Sequence, residues 1–134
     1  MEEKNKRLKK EYLSKRRPMG VFLIRNMVND KVFVAVGLDL SGIINSHKFQ
    51  LKMGVHRNRR LQEDWNKFGG ESFAFEILDQ LEPRAETSDD GREDLLFLEE
   101  LWLEKLQPFG LRGYNKRKLT REEKLQRARQ QTIG

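Results

Sequence analysis

GVFLIRNMVNDKVFVAVG, residues 20–37, decides the fold. Two runs rich in β-branched and aromatic residues, about Val21 to Asn26 and Lys31 to Val36, flank Asn29-Asp30. Asn and Asp tolerate left-handed backbone and bond their own main chain, so this stretch predicts an antiparallel hairpin. Ser41 then opens a helix to about Met53, with Ile44, His47 and Leu51 at helical spacing and Gly54 as its stop. A second helix covers about Asn58 to Phe68. FAFEIL, 73–78, reads as a third strand with Phe73, Phe75 and Ile77 on one face and Ala74, Glu76 and Leu78 on the other.

Residues 81–94 are polar, with Pro83 and Gly91, and read as an exposed loop. A strongly apolar helix follows from about Asp94, its expected N-cap, to Leu106. Its stripe is Leu95, Leu98, Trp102 and Leu106, widened by Leu101; Pro108 stops it. Segment 2–16 reads as a helix with few apolar residues, and Thr120-x-x-Glu123 as a capping box opening a last basic helix.

The 134 residues favour a single domain. With 37% apolar residues the core is modest, and with 36% charged residues much of the chain stays in water. No run approaches the ~20 apolar residues of a membrane span, and the first residues carry no apolar stretch of a secretory signal. The absence of cysteine excludes disulfides, cysteine-bound zinc and thiol nucleophiles, and fits a cytoplasmic setting. The net charge of +6 is uneven. Residues 1–17 hold eight Lys/Arg against three Glu, net +5; residues 112–134 hold eight against two, net +6; the acidic middle is net −5. Basic ends serve solubility or grip phosphates.

The order of blocks carries more than a fold class. GVFLIRN with KVFVAVG, then HKFQLKMG, His56, LQEDWNKFGGESFAFEIL, LEELWLEKL and Gly113-Tyr114-Asn115 together resemble the GIY-YIG nuclease domain from about Gly20 to Asn115. The resemblance implies an α+β fold: a small three-stranded antiparallel sheet flanked by helices. Here that means a domain over 18–115, a basic helical extension over 1–17 and a basic helical tail over 116–134. It also implies a phosphodiester-cleaving centre with one divalent metal, Mg²⁺ or Mn²⁺, acting on nucleic acid, DNA before RNA. His47 and His56 match the family's histidines, Glu99 its metal-binding glutamate and Asn115 its terminal asparagine. Phe22 and Phe33 stand where two tyrosines are usual, Ala35 where the second motif has glycine, and Ile43 where an arginine is expected.

These departures have chemical consequences. A tyrosine hydroxyl can move a proton or bind an oxygen; phenylalanine can do neither. Losing one acid–base group costs ~10²–10⁴ in rate. Arg25, Arg57, Arg59 and Arg60 are candidate replacement cations, and with Lys48 they are the expected nucleic-acid contacts. Arg57 to Arg60 open a helix whose free N–H groups attract anions. The expectation is a modified or weakened endonuclease centre, in which His47 and Glu99 converge over the exposed face of the sheet. The alternative is an inactive domain that binds nucleic acid and regulates. In the plain structural reading, Phe22, Phe33 and Ile43 are core, and Glu99 is the solvated side of a helix.

Overall fold

The computed structural model describes residues 18–82, 91–117, 125–126 and 128–129. The expected 2–16 helix, most of the 81–94 loop and the Thr120–Glu123 capping box lie outside the described residues. Of the tail, 125–126 and 128–129 are helical.

Strand β1 (Met19–Asn26) is central, between β2 (Val32–Gly37) and β3 (Phe73–Leu81), and both pairings are antiparallel. The hairpin closes where Asn26 N–H donates to Lys31 O at 2.9 Å; Asp30 takes φ 62°, and Asn29 Oδ1 accepts from Lys31 N–H. The turn chemistry expected of Asn29-Asp30 is therefore present. The β1–β3 register shifts between Val21 and Phe22, paired with Asp79 and Ile77. This places Leu78 as the extra residue of a bulge.

Helix α1 (Leu40–Met53) starts one residue before the expected Ser41, because Asp39 caps it: its Oδ1 accepts from Gly42 N–H at 3.2 Å. Gly54, at φ 77°, ends it. Helix α2 (Arg59–Phe68) is capped by Asn58, whose Oδ1 accepts from Leu61 N–H. Helix α3 (Arg92–Leu106) begins after Gly91, at φ 80°. Asp94, the expected cap, lies instead in the first turn, where its charge suits the helix dipole.

The strand alternation sends side chains to two cores. Phe22 and Ile24 pack with Leu40, Leu51, Leu61, Phe73 and Tyr114 under α1 and α2. Val21, Leu23, Val32 and Val34 pack with Leu95, Leu98, Trp102, Leu103 and Leu106 of α3. Leu103 fills the place expected of Leu101, which is 46% exposed. Each fully buried Phe or Leu contributes about 1.5–3 kcal/mol. Helices thus pack on both faces of the sheet, although Glu76 and Ile77 of β3 stay exposed. His47 on α1 and Glu99 on α3 belong to helices on opposite sides of it.

The outer edge of β2 is also covered. Gly113 bridges to Val32 in parallel, Tyr114 N–H donates to Val32 O, and the Asn115 amide brackets Val34. Asn115 Oδ1 accepts from Val34 N–H at 2.8 Å and its Nδ2 donates to Val34 O at 2.9 Å. One side chain thus replaces a neighbouring peptide group. A Cβ at Gly113 would fall 2.5 Å from both Val32 O and Pro108 O, so only glycine permits this approach.

Candidate active site and nucleic-acid interface

His47 faces the sheet from α1. Its ring meets Phe22 edge-on at 5.4 Å and Phe33 at 5.9 Å between centroids. His56 follows the α1 stop and is buried; its ring meets Phe33 edge-on at 5.8 Å. The imidazoles touch directly, His47 Nδ1 to His56 Nε2 at 2.7 Å. Fold and local capping thus bring together four sequence-marked positions: 22, 33, 47 and 56.

The direction of the histidine bond follows from its neighbours. Asn58 N–H can only donate, and it points at His56 Nδ1 at 3.0 Å. His56 Nδ1 is therefore an acceptor and its Nε2 carries the proton. That proton is donated to His47 Nδ1, which leaves His47 protonated at Nε2. Burial pushes His47 down to about 4, and neighbouring His56 adds to the effect. Burial also lowers His56. Both rings are neutral at pH 7.

Gln62 fixes this arrangement from α2. It is buried; its Oε1 accepts from His56 N–H, and its Nε2 donates to Leu51 O and Asn66 Oδ1. Tyr114 is a second hub. Its hydroxyl donates to Asp64 Oδ2 at 2.6 Å and accepts from Asn26 Nδ2 at 3.0 Å, while its carbonyl accepts from Asn58 Nδ2 at 2.6 Å. Burial and the Asp64 carboxylate raise its phenol to about 12. Neither Gln62 nor Tyr114 carries a site signal in the sequence, although Tyr114 sits inside the quoted Gly-Tyr-Asn.

An open pocket of about 530 Å³ lies beside the histidines, lined by Phe33, Ile43, His47, Gln50, His56, Arg57, Asn58 and Lys116. Ile43, at the expected arginine position, lines it and also packs on the sheet. A Cβ at Gly37 would lie 2.4 Å from Ile43 Cγ2, so that glycine is needed for α1 to sit down.

The expected cations do not converge on the pocket. Arg57 reaches it, joined by Lys116. Arg60 Nη2 instead donates to Gly110 O at 2.7 Å, its guanidinium lying over the Tyr114 ring. Lys48 lies over Phe75 at 4.9 Å and lines a separate groove with Ile44 and Ile77. Arg25 bonds Glu76 at 2.8 Å and lines a third pocket with Leu106 and Arg112. Arg59 is exposed at the first position of α2. The N–H groups there are partly used: those of Asn58, Leu61 and Gln62 bond His56, the Asn58 side chain and Asn58 O.

Among the described residues, no carboxylate lines the histidine pocket and no group of three His, Asp or Glu could hold a metal. A hard cation such as Mg²⁺ takes oxygen ligands. Two imidazoles bonded to each other do not fit it. Glu99 is half-buried on α3, against the other core.

The described chain is similar to the catalytic domain of intron endonuclease I-TevI, at 26% identity and a TM-score of 0.61. The match covers 75% of this chain and 99% of that domain. A point mutant of the same domain matches at 25% identity and the same TM-score, over 77% and 97%. The chain has the fold of a GIY-YIG nuclease catalytic domain. No family model and no curated protein matches it. In this GIY-YIG domain the α+β class, the three antiparallel strands and the flanking helices all stand as expected. No helix among the described residues is long and apolar enough to cross a membrane.

Proposed function

We propose that this GIY-YIG domain engages nucleic acid through the histidine pocket and its basic rim, with a phosphodiester-cleaving centre that is weakened or lost. One observation carries the reading: Phe22 and Phe33 surround His47, and Ile43 lines the same pocket. The three positions at which the family likeness predicts hydroxyls and a guanidinium hold hydrocarbon. No side chain at them can transfer a proton or neutralise a phosphoryl oxygen, and such a loss lowers a rate by ~10²–10⁴ per group.

Glu99 is the one position to which the likeness assigns a divalent metal, Mg²⁺ or Mn²⁺. The two helices lie on opposite faces, so a centre joining it to His47 would have to bridge an edge of the sheet. A nicking assay on supercoiled and branched DNA with either metal tests cleavage, with Glu99→Ala as the control against contaminating nuclease. Binding rests on net charge: affinity should fall steeply with salt. A flat salt response would remove the nucleic-acid partner, and Glu99-dependent nicking at a rate usual for nucleases would remove the weakened centre.

A further inference from the structure

The pocket has a composition unlike that of a phosphate site. Its walls are the Phe33 ring, the Ile43 side chain and two neutral imidazoles; its cations, Arg57 and Lys116, are exposed. Neither cation makes an ion pair among the described residues. A phosphate seated against Phe33 and Ile43 would lose water without gaining a charge partner. A flat apolar group carrying a peripheral anion suits the same surface.

We propose, building on the nucleic-acid reading above, that the pocket receives one unstacked nucleotide: its base against Phe33 and His47, its phosphates at Arg57 and Lys116. An intact duplex hides the faces of its bases, whereas a single strand or an unpaired site presents them. The pocket volume of about 530 Å³ leaves room for a base and its sugar. The histidine relay contributes polarity as well as surface, because His47 Nδ1 is already occupied and its remaining ring N–H is a donor. Phe33 thus offers a stacking ring without the hydroxyl that nuclease chemistry would use.

The test is fluorescence anisotropy on the full chain, with a labelled strand of roughly 12 nucleotides and its duplex at one fixed salt concentration. The wild type should bind the single strand about tenfold or more tightly than the duplex. Phe33→Leu keeps an apolar side chain but removes the ring. It should lower single-strand affinity about tenfold and duplex affinity by much less, with Phe33→Tyr, which keeps the ring, retaining single-strand binding. Emission of 2-aminopurine in the strand should change on binding wild type, a readout independent of whether Phe33→Leu folds. Binding with no single-strand preference, or with unchanged 2-aminopurine emission, overturns the pocket assignment and leaves nucleic-acid engagement standing. If neither probe binds, both fall together.

Discussion

His47 Nδ1 lies 2.7 Å from His56 Nε2, and the Asn58 main chain decides which of them holds the proton. Because His56 Nδ1 receives an amide hydrogen, the relay runs one way. Histidine nitrogen shifts measured by NMR should report Nε2–H for both rings at neutral pH. Asn58→Ala keeps the amide hydrogen and should keep both tautomers, at a cost of about 1 kcal/mol for the lost helix cap. Asn58→Pro deletes the donor and should release the His56 tautomer.

The same pair makes stability depend on acid. The His47 pKa is about 4 in the folded chain, below its unfolded value of 6.5. Below 6.5 the unfolded chain binds more protons than the folded one, so stability rises with pH in that window. The His47 contribution is present above pH 6.5 and is lost as pH falls toward 4. Urea melts across this range should show a smaller acid slope for His47→Gln than for wild type. Equal slopes would mean that the ring is not held neutral.

Tyr114 responds at the opposite end of the scale. Its hydroxyl joins Asp64 on α2 to the buried Asn26 at the end of β1. Tyr114→Phe leaves Asn26 Nδ2 without this acceptor and should cost about 1–3 kcal/mol in chemical denaturation. With a folded pKa near 12, wild-type stability should also fall as pH rises above 10, where only the unfolded chain loses the phenol proton. Tyr114→Phe should flatten that decline.

Restoring the family residues should have unequal effects. Phe33 and Ile43 line the pocket, so Phe33→Tyr and Ile43→Arg can direct their polar ends into it. Phe22 is fully buried, and its edge already meets His47. A hydroxyl added there must find a partner or cost about 1–3 kcal/mol. The triple variant should nick DNA faster than wild type with Mg²⁺, and omission of Phe22→Tyr should give the more stable protein. A folded triple variant with no gain would argue that the centre differs by more than these three residues.

Asn115 gives a stability prediction without chemistry. Asn115→Ala leaves Val34 N–H and C=O without their side-chain partners and should cost about 1–3 kcal/mol by urea melting. Asn115→Asp should recover only part, because a carboxylate accepts from Val34 N–H but repels Val34 O.

The hairpin, the three strands and three of the helices were legible because alternation and turn chemistry are local. The helix starts were less so: Asp39 and Gly91 cap helices for which Ser41 and Asp94 are equally plausible from composition. The histidines were visible only through the order of blocks that surrounds them. Gln62, Tyr114 and Lys116 were not, since their roles come from hydrogen bonds across 11 and 88 residues and from a pocket shared with Phe33, none of which periodicity encodes. His47 and Glu99 stand on helices packed against opposite faces of the sheet, for a geometric reason. Successive strand residues alternate sides, and each side recruits its own helix.

The Gly113–Asn115 clasp bears on solubility as well as folding. An open strand margin invites a second copy to add its own strand. Cutting the chain ahead of Gly113 would lay bare the outer amides of Val32 and Val34. Such a truncated protein should self-associate in light scattering at concentrations where the intact chain remains dispersed, so the closing residues act as a guard against intermolecular zippering.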